Sequence, residues 1–290
     1  MTTPGPQQLA EMASRLATLP RAYYRIQQML EDECYGAADV GRVVTHEPAL
    51  TARLLRMVNS AYYGLPTKID SIPLAITVLG TRALRDLVLA TSVSSAFARI
   101  DTHLVDVADF WHHSLYCGIM ARLLSKRLRV GDSEQAFIGG LLHDIGKLVI
   151  YTQMPETADR LLRTLGGDGL QLYELERRQL GFTHADVGAA LLTYWELPLV
   201  YREIVAFHHK PAHAEGYVDE ACLVNTANAV TKKVEPGHKR PLDDIDMPIL
   251  DEEVTERVPL EAEMLADLRV EADLQSIEVY ATLFGGKPVF

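Results

Sequence analysis

Five histidines, one aspartate and one lysine in this 290-residue chain have the side-chain types and the spacing to hold a metal ion or to handle charge. His143 and Asp144 adjoin inside an apolar run, LLHDIGKLVI, with Lys147 three residues after Asp144. An ionised Asp and a Lys are costly to bury there unless they are paired or bound to metal. Three and four residues apart on a helix, His143, Asp144 and Lys147 can face one cavity. His208 and His209, side by side at a helix end, can offer two nitrogens to neighbouring metals. His184, preceded by Thr183, sits at a helix start where its ring can point inward, and His113 lies in FWHHSLYC. Imidazole and carboxylate are ligands for Zn, Mn, Fe and related ions. Taken singly, each has a plainer explanation. His113 reads as a hydrogen-bonded core histidine, Asp144–Lys147 as a buried ion pair, His184 as a helix-start residue, and His208–His209 as a solvated helix end. Their joint presence points to one shared site.

Pro and Gly punctuation divides the chain into helical stretches. Residues 7–18, 21–31, 37–45 and 49–59 come first, the last with Leu50, Leu54, Met57 and Val58 on one face. A loop marked by Gly64 and Pro66 leads to a helix opened by Ser71-Ile72-Pro73 and running to about Leu79. Longer runs at 81–98 and 107–129 follow. The stretch 133–151 is apolar on nearly every side, which predicts one buried helix capped at its start by Ser133. Helices are expected at 156–165, 170–180, 184–195, 199–209 and 218–234, then an acidic connector near 235–259 and a last helix over 260–284. No strand pattern or internal repeat interrupts this series, so the expected class is all-α.

The composition, 48% apolar and 23% charged, is that of a soluble globular protein, and Leu and Ala favour helix packing over sheets. No apolar run approaches the roughly 20 residues that span a bilayer. The N-terminus, MTTPGPQQLAEM, lacks a basic n-region and an apolar h-region, so the expected location is the cytoplasm. Cys34, Cys117 and Cys222 lie far apart in apolar stretches and read as free buried thiols. Of the net charge of −11, residues 241–290 carry 13 acidic and 3 basic side chains. Such a tail repels phosphate backbones, and no basic stripe offsets it, which argues against direct nucleic-acid binding.

WHHS at 111–114, GLLHDIGKL at 140–148, THADVGAALL from Thr183, WELP at 195–198 and HHKP at 208–211 resemble the ordered landmarks of the HD superfamily. Upstream, residues 47–89 resemble the N-terminal half of the HDOD domain: an E-P-A-L opening, a helix ending in Asn-Ser, an Ile-Asp-Ser-Ile corner and a Leu-Gly helix. The resemblance spans about residues 12–230 and implies an HD-type helical bundle preceded by an N-terminal helical subdomain. On that reading, 1–105 is the N-terminal half, 106–234 the HD-like core, and 235–290 the acidic connector with a C-terminal helix.

HD-superfamily hydrolases hold one or two metals and cleave phosphate esters, cyclic dinucleotides among them in the HD-GYP group. The resemblance implies His143, Asp144, His184, His208 and His209 as ligands of one or two divalent ions (Fe, Mn, Zn, Ni or Mg). His113 would flank the site, Lys147 would contact a phosphate oxygen, and Lys147 and Asp144 would be the catalytic residues if the chain is an enzyme. The superfamily's last metal-binding Asp falls where this chain has Asn225 and Asn228, and Asn228 fits the position better. Val218 stands for Pro in the GYP signature, Lys210 for Glu and His213 for Asp. HDOD modules resemble signalling or scaffold domains. The leading expectation is therefore a bacterial cytoplasmic signalling module that works through a protein partner or a second copy of itself, away from nucleic acid and membrane. The alternative is a metal-dependent phosphohydrolase acting on a nucleotide or cyclic dinucleotide.

Overall fold

The computed structural model describes residues 4–15, 18–32, 35–97, 100, 102–165, 169–234 and 247–285. Among these residues every regular element is helical, so the all-α expectation holds. The helices are α1 (Pro6–Ser14), α2 (Arg21–Glu31), α3 (Ala37–Thr45), α4 (Pro48–Val58), α5 (Ile72–Leu79), α6 (Thr81–Phe97), α7 (Val107–Leu128) and α8 (Ser133–Leu142). They continue with α9 (Ile145–Gln153), α10 (Pro155–Leu165), α11 (Gly169–Leu180), α12 (His184–Tyr194) and α13 (Leu199–Phe207). A 3-10 turn (Pro211–His213) precedes α14 (Val218–Val234), α15 (Glu252–Arg257) and α16 (Ala262–Phe284). No helix among the described residues is long and apolar enough to cross a membrane.

Two compact units form. The first joins Met1–Leu16 to Ile100–Val270, and the second joins Ala17–Arg99 to Glu271–Phe290. This division differs from the three linear segments expected, because helices far apart in sequence share cores. Leu9, Ala10 and Ala13 of α1 are buried, and α1 packs on α12 and α9. In the second unit α6 is the central helix, buried from Leu84 to Phe97 and packed by α2, α4 and α5. There Asn59 clasps the following loop, donating from Nδ2 to the carbonyl of Ile69 and accepting from its N–H. Glu278 of α16 accepts from the N–H of Ala61 in that loop.

The first unit is built on α7, which packs against α8 and α14. Gly118 and Gly140 make this possible, since a Cβ on Gly140 would stand 2.6 Å from the Gly118 Cα. The single helix expected over 133–151 is in fact two, broken at His143-Asp144. The break lets each piece take different neighbours: α8 packs on α7, α14 and α13, whereas α9 packs on α12, α1 and α10. The cap also differs from expectation. Asp132, one residue before Ser133, accepts from the N–H groups of Glu134 and Gln135, and a carboxylate suits the positive end of the helix dipole. Within the connector, α15 adds one short helix, while residues 235–246 lie outside the described residues. Cys117 and Cys222 are buried and free as expected, and Cys34 lies outside the described residues.

Candidate metal centre

Four helix ends and the start of α7 deliver the titratable groups. His143 and Asp144 occupy the break between α8 and α9, so neither side chain is confined to a continuous helix face. Asp144 makes no cap bond with its own helix, and its carboxylate is turned to the cluster instead. His184 is the first residue of α12, behind an N-cap in which Thr183 accepts from the Asp186 N–H and the Asp186 carboxylate accepts from the Thr183 N–H. His208 and His209 follow the last turn of α13. What brings α9 onto the start of α12 is Gly146. A Cβ there would stand 1.9 Å from the carbonyl oxygen of His184 and 2.6 Å from the N of Gly188.

Asp144 lies at the middle of the cluster, and its two oxygens face different partners. Oδ1 is 3.2 Å from His184 Nε2 and 3.7 Å from His208 Nε2. Oδ2 is 2.5 Å from Lys147 Nζ, 3.3 Å from His143 Nε2 and 3.8 Å from His113 Nε2. His209 Nε2 completes the group at 3.0 Å from His184 Nε2. Asp144, His184, His208 and His209 each present a ligand atom within 4.8 Å of the others, and so do His113, His143 and Asp144. His143, His184 and His208 are fully buried, while the side chains of Lys147 and His113 are 12% and 16% exposed.

The far side of each buried ring explains its orientation. His143 Nδ1 donates to the carbonyl of Gly140 at 2.7 Å, and His208 Nδ1 donates to that of Val205 at 2.8 Å. A carbonyl only accepts, so Nδ1 carries the proton and Nε2 presents a lone pair to the cluster. His184 Nδ1 lies 2.6 Å from Oε2 of Glu176, which also accepts from the His184 backbone N–H at 2.8 Å. His143 Nε2, His208 Nε2 and Asp144 Oδ1 are buried with no hydrogen-bond partner. Leaving such atoms unpaired costs about 1–3 kcal/mol each, and a cation at Oδ1 would satisfy both Asp144 Oδ1 and His208 Nε2. The donor set of imidazole nitrogens and one carboxylate suits a metal ion.

The charge balance agrees. Burial works to raise the Asp144 carboxyl, but the imidazole of His143 and the ammonium of Lys147 outweigh it and hold it well below the usual range. Burial pushes His143 down, and it pushes His208 and His209 well down, helped in both by the neighbouring imidazoles. His184 is the exception. Burial opposes its charged form, yet the Glu176 carboxylate, which accepts from its ring, and the nearby Asp144 carboxylate leave it above an ordinary histidine.

His113, His143, Asp144, Lys147, His184, His208 and His209 thus each come within 3.8 Å of another member of the cluster. Asn225 Nδ2 donates to the carbonyl of His208 at 2.7 Å. Asn228 lies a turn further along α14, 4% exposed, with Oδ1 unpartnered. His213 is in the 3-10 turn, outside the cluster. Two contributors were not expected. Glu176 is one, and the other is Tyr173, whose ring is 4.4 Å from that of His209 and whose hydroxyl accepts from Arg177. Both sit on α11, three residues apart, so that spacing was the only available signal.

The family model for the HDOD domain matches residues 16–211. A candidate phosphohydrolase from Shewanella amazonensis SB2B has a similar structure, at 27% identity and a TM-score of 0.73, over 95% of this chain and 97% of that one. An HDOD domain protein of unknown function from Geobacter sulfurreducens shares the fold at 21% identity and a TM-score of 0.70, over 96% of this chain and 97% of that one. An uncharacterised protein of Treponema pallidum (strain Nichols) is 26% identical over 209 residues, which is 71% of this chain and 40% of that protein. The chain therefore spans about two fifths of the length of the curated relative it matches.

Proposed function

Because this chain belongs to the HDOD domain family, we propose that it is a cytoplasmic signalling module that works through protein contacts and carries one divalent metal ion at its His/Asp centre. The observation that carries the reading is the division of labour on Asp144. Oδ1 is buried, unpartnered and turned to His184 and His208, whereas Oδ2 is taken by the Lys147 ammonium at 2.5 Å. One cation position is open on the carboxylate, and a fixed positive charge holds the other. Asp144, His184, His208 and His209 would hold the ion, with His143 and His113 beside Lys147 on the second oxygen. Nitrogen-rich donors favour Zn, Fe, Mn or Ni over Mg. Two-ion hydrolysis needs metals about 3.5–4 Å apart sharing bridging ligands, and an ammonium on Oδ2 and carboxamides at 225 and 228 both work against that.

A second reading, metal-dependent phosphohydrolase, is favoured by Lys147, whose partly exposed ammonium can meet a phosphate oxygen. The similar candidate phosphohydrolase from Shewanella amazonensis is in keeping with it. A bound divalent ion supplies Lewis acidity and lowers the pKa of water. The chain would contribute Lys147 and His113 to orient an anionic ester and Asp144 to hold the centre together.

Elemental analysis of the purified chain and of Asp144→Asn separates the outcomes. About one ion per chain, lost in Asp144→Asn, with no turnover of nucleotide or cyclic-dinucleotide esters, supports the first reading. Turnover abolished by Asp144→Asn establishes the second instead. A wild-type chain that takes up no Zn, Mn or Fe refutes both. Capture of a protein partner from the native cell that is lost on chelation supports the signalling role.

A further inference from the structure

We infer that Glu176 is the positioning residue of this centre, fixing the tautomer and direction of His184 so that Nε2 is presented at Asp144 Oδ1. The inference rests on the metal-centre reading above and concerns a residue outside its ligand set. Glu176 is 1% exposed, and no lysine or arginine pairs with it among the described residues. Burying a carboxylate costs several kcal/mol unless it is fully compensated. Here its Oε1 is unpartnered, and Oε2 serves His184 alone, through the backbone N–H at 2.8 Å and ring Nδ1 at 2.6 Å.

A purely structural cap for the start of α12 is already supplied by Thr183 and Asp186, so the backbone bond alone does not explain a buried acid. The ring bond does something the cap cannot. It forces the proton onto Nδ1 and leaves Nε2, 3.2 Å from Asp144 Oδ1, as the ligand atom. Carboxylate–histidine pairs of this kind orient a metal ligand and strengthen its basicity. The same face of α11 carries Tyr173 against the ring of His209. One helix therefore braces two of the three histidines grouped with Asp144.

The test is a chelator-competition titration with Zn(II) on the full chain. Glu176→Gln keeps the shape and one acceptor but removes the charge, and it lowers Zn(II) affinity about 10- to 100-fold with an unchanged denaturation midpoint. Glu174→Gln, exposed on the same helix, leaves affinity at the wild-type value. Nitrogen-15 spectra of the Zn(II)-loaded wild type give a reading independent of any variant: His184 is protonated at Nδ1 only. Wild-type affinity in a folded Glu176→Gln, or a proton on His184 Nε2 in the loaded protein, overturns the inference and leaves the metal centre standing. Failure of the wild type to bind Zn(II) removes both.

Discussion

Replacing Gly146 with alanine is the most direct test of how the fold builds the centre. The added methyl would stand 1.9 Å from the carbonyl oxygen of His184, 2.6 Å from the N of Gly188 and 2.9 Å from the carbonyl carbon of His184, all backbone atoms. No side-chain rotation relieves such contacts. Ordinary van der Waals contact begins near 3.4 Å, so α9 and the start of α12 must part by about 1.5 Å. His184 is the residue pushed, and its Nε2 lies 3.2 Å from Asp144 Oδ1. A shift of that size would open the gap to roughly 4.7 Å. Two ligand atoms bound to one ion at about 2.1 Å each cannot be more than about 4.2 Å apart. Gly146→Ala therefore weakens Zn(II) binding and destabilises the metal-free chain by about 3 kcal/mol, the upper part of the range for overpacked cores. Gly80→Ala is the matched control. Its φ of +85° makes alanine strained, at about 1–3 kcal/mol, but open space surrounds it and it belongs to the other unit. Urea denaturation and Zn(II) titration of both variants decide the matter. If Gly146→Ala unfolds within about 0.5 kcal/mol of wild type and binds Zn(II) equally well, the close helix crossing does not position the centre.

Acid weakens the metal-free fold from about pH 6.5 downward. His143, His208 and His209 resist protonation when folded, chiefly through burial, whereas His184 accepts it more readily, so the unfolded chain takes up as many as two protons more. Their contribution is present above 6.5 and falls as pH drops, by up to about 2.7 kcal/mol per pH unit. Urea midpoints that stay flat between pH 7.5 and 5 contradict this. Asn228→Asp places a carboxylate at a buried, unpartnered amide oxygen. It raises Zn(II) affinity about tenfold if that atom reaches the ion, while costing the metal-free chain about 1–3 kcal/mol; unchanged affinity takes Asn228 out of the ligand set.

The identities of the cluster residues and the helical class were legible because both are local. His143, Asp144 and Lys147 stand out as polar groups in an apolar run, and helical periodicity with Pro and Gly stops recovers most boundaries to within a residue or two. The break at His143-Asp144 was not legible. Neither Gly nor Pro stands at the break itself, and apolar residues on both sides favour continuing the helix. It arises because α8 and α9 are claimed by different partners, a property of packing. Gly146 likewise looked like one more small residue, and only the backbone of α12 lying against it reveals its use. Glu176 was hidden for a related reason. Its partner is eight residues away across a turn, and an acidic residue in ELERR reads as solvated surface until the helix is docked. The same holds for α1, which joins the first unit although the intervening residues build the second.

These hidden features bear on what such a centre would do in the signalling module proposed above. Four histidines and an aspartate are packed at the ends of α8, α12 and α13 with a single lysine as the fixed countercharge. Three of their atoms are buried with no hydrogen-bond partner. The junction thus leaves buried polar atoms that an ion can satisfy. Metal affinity at such a site is also stability. An ion at one hundred times its dissociation constant adds about 2.7 kcal/mol to the folded state, because a site assembled from separate helix ends does not persist once they separate. Part of that gain is local, falling on α9, α11, α12 and α13, the helices that meet at Asp144 and Glu176. Metal occupancy then changes how firmly those helices are held without any bond being made or broken in a substrate. A partner that binds the tightened arrangement better than the loose one reads the ion by its own binding energy, which is all that regulation through protein contacts requires.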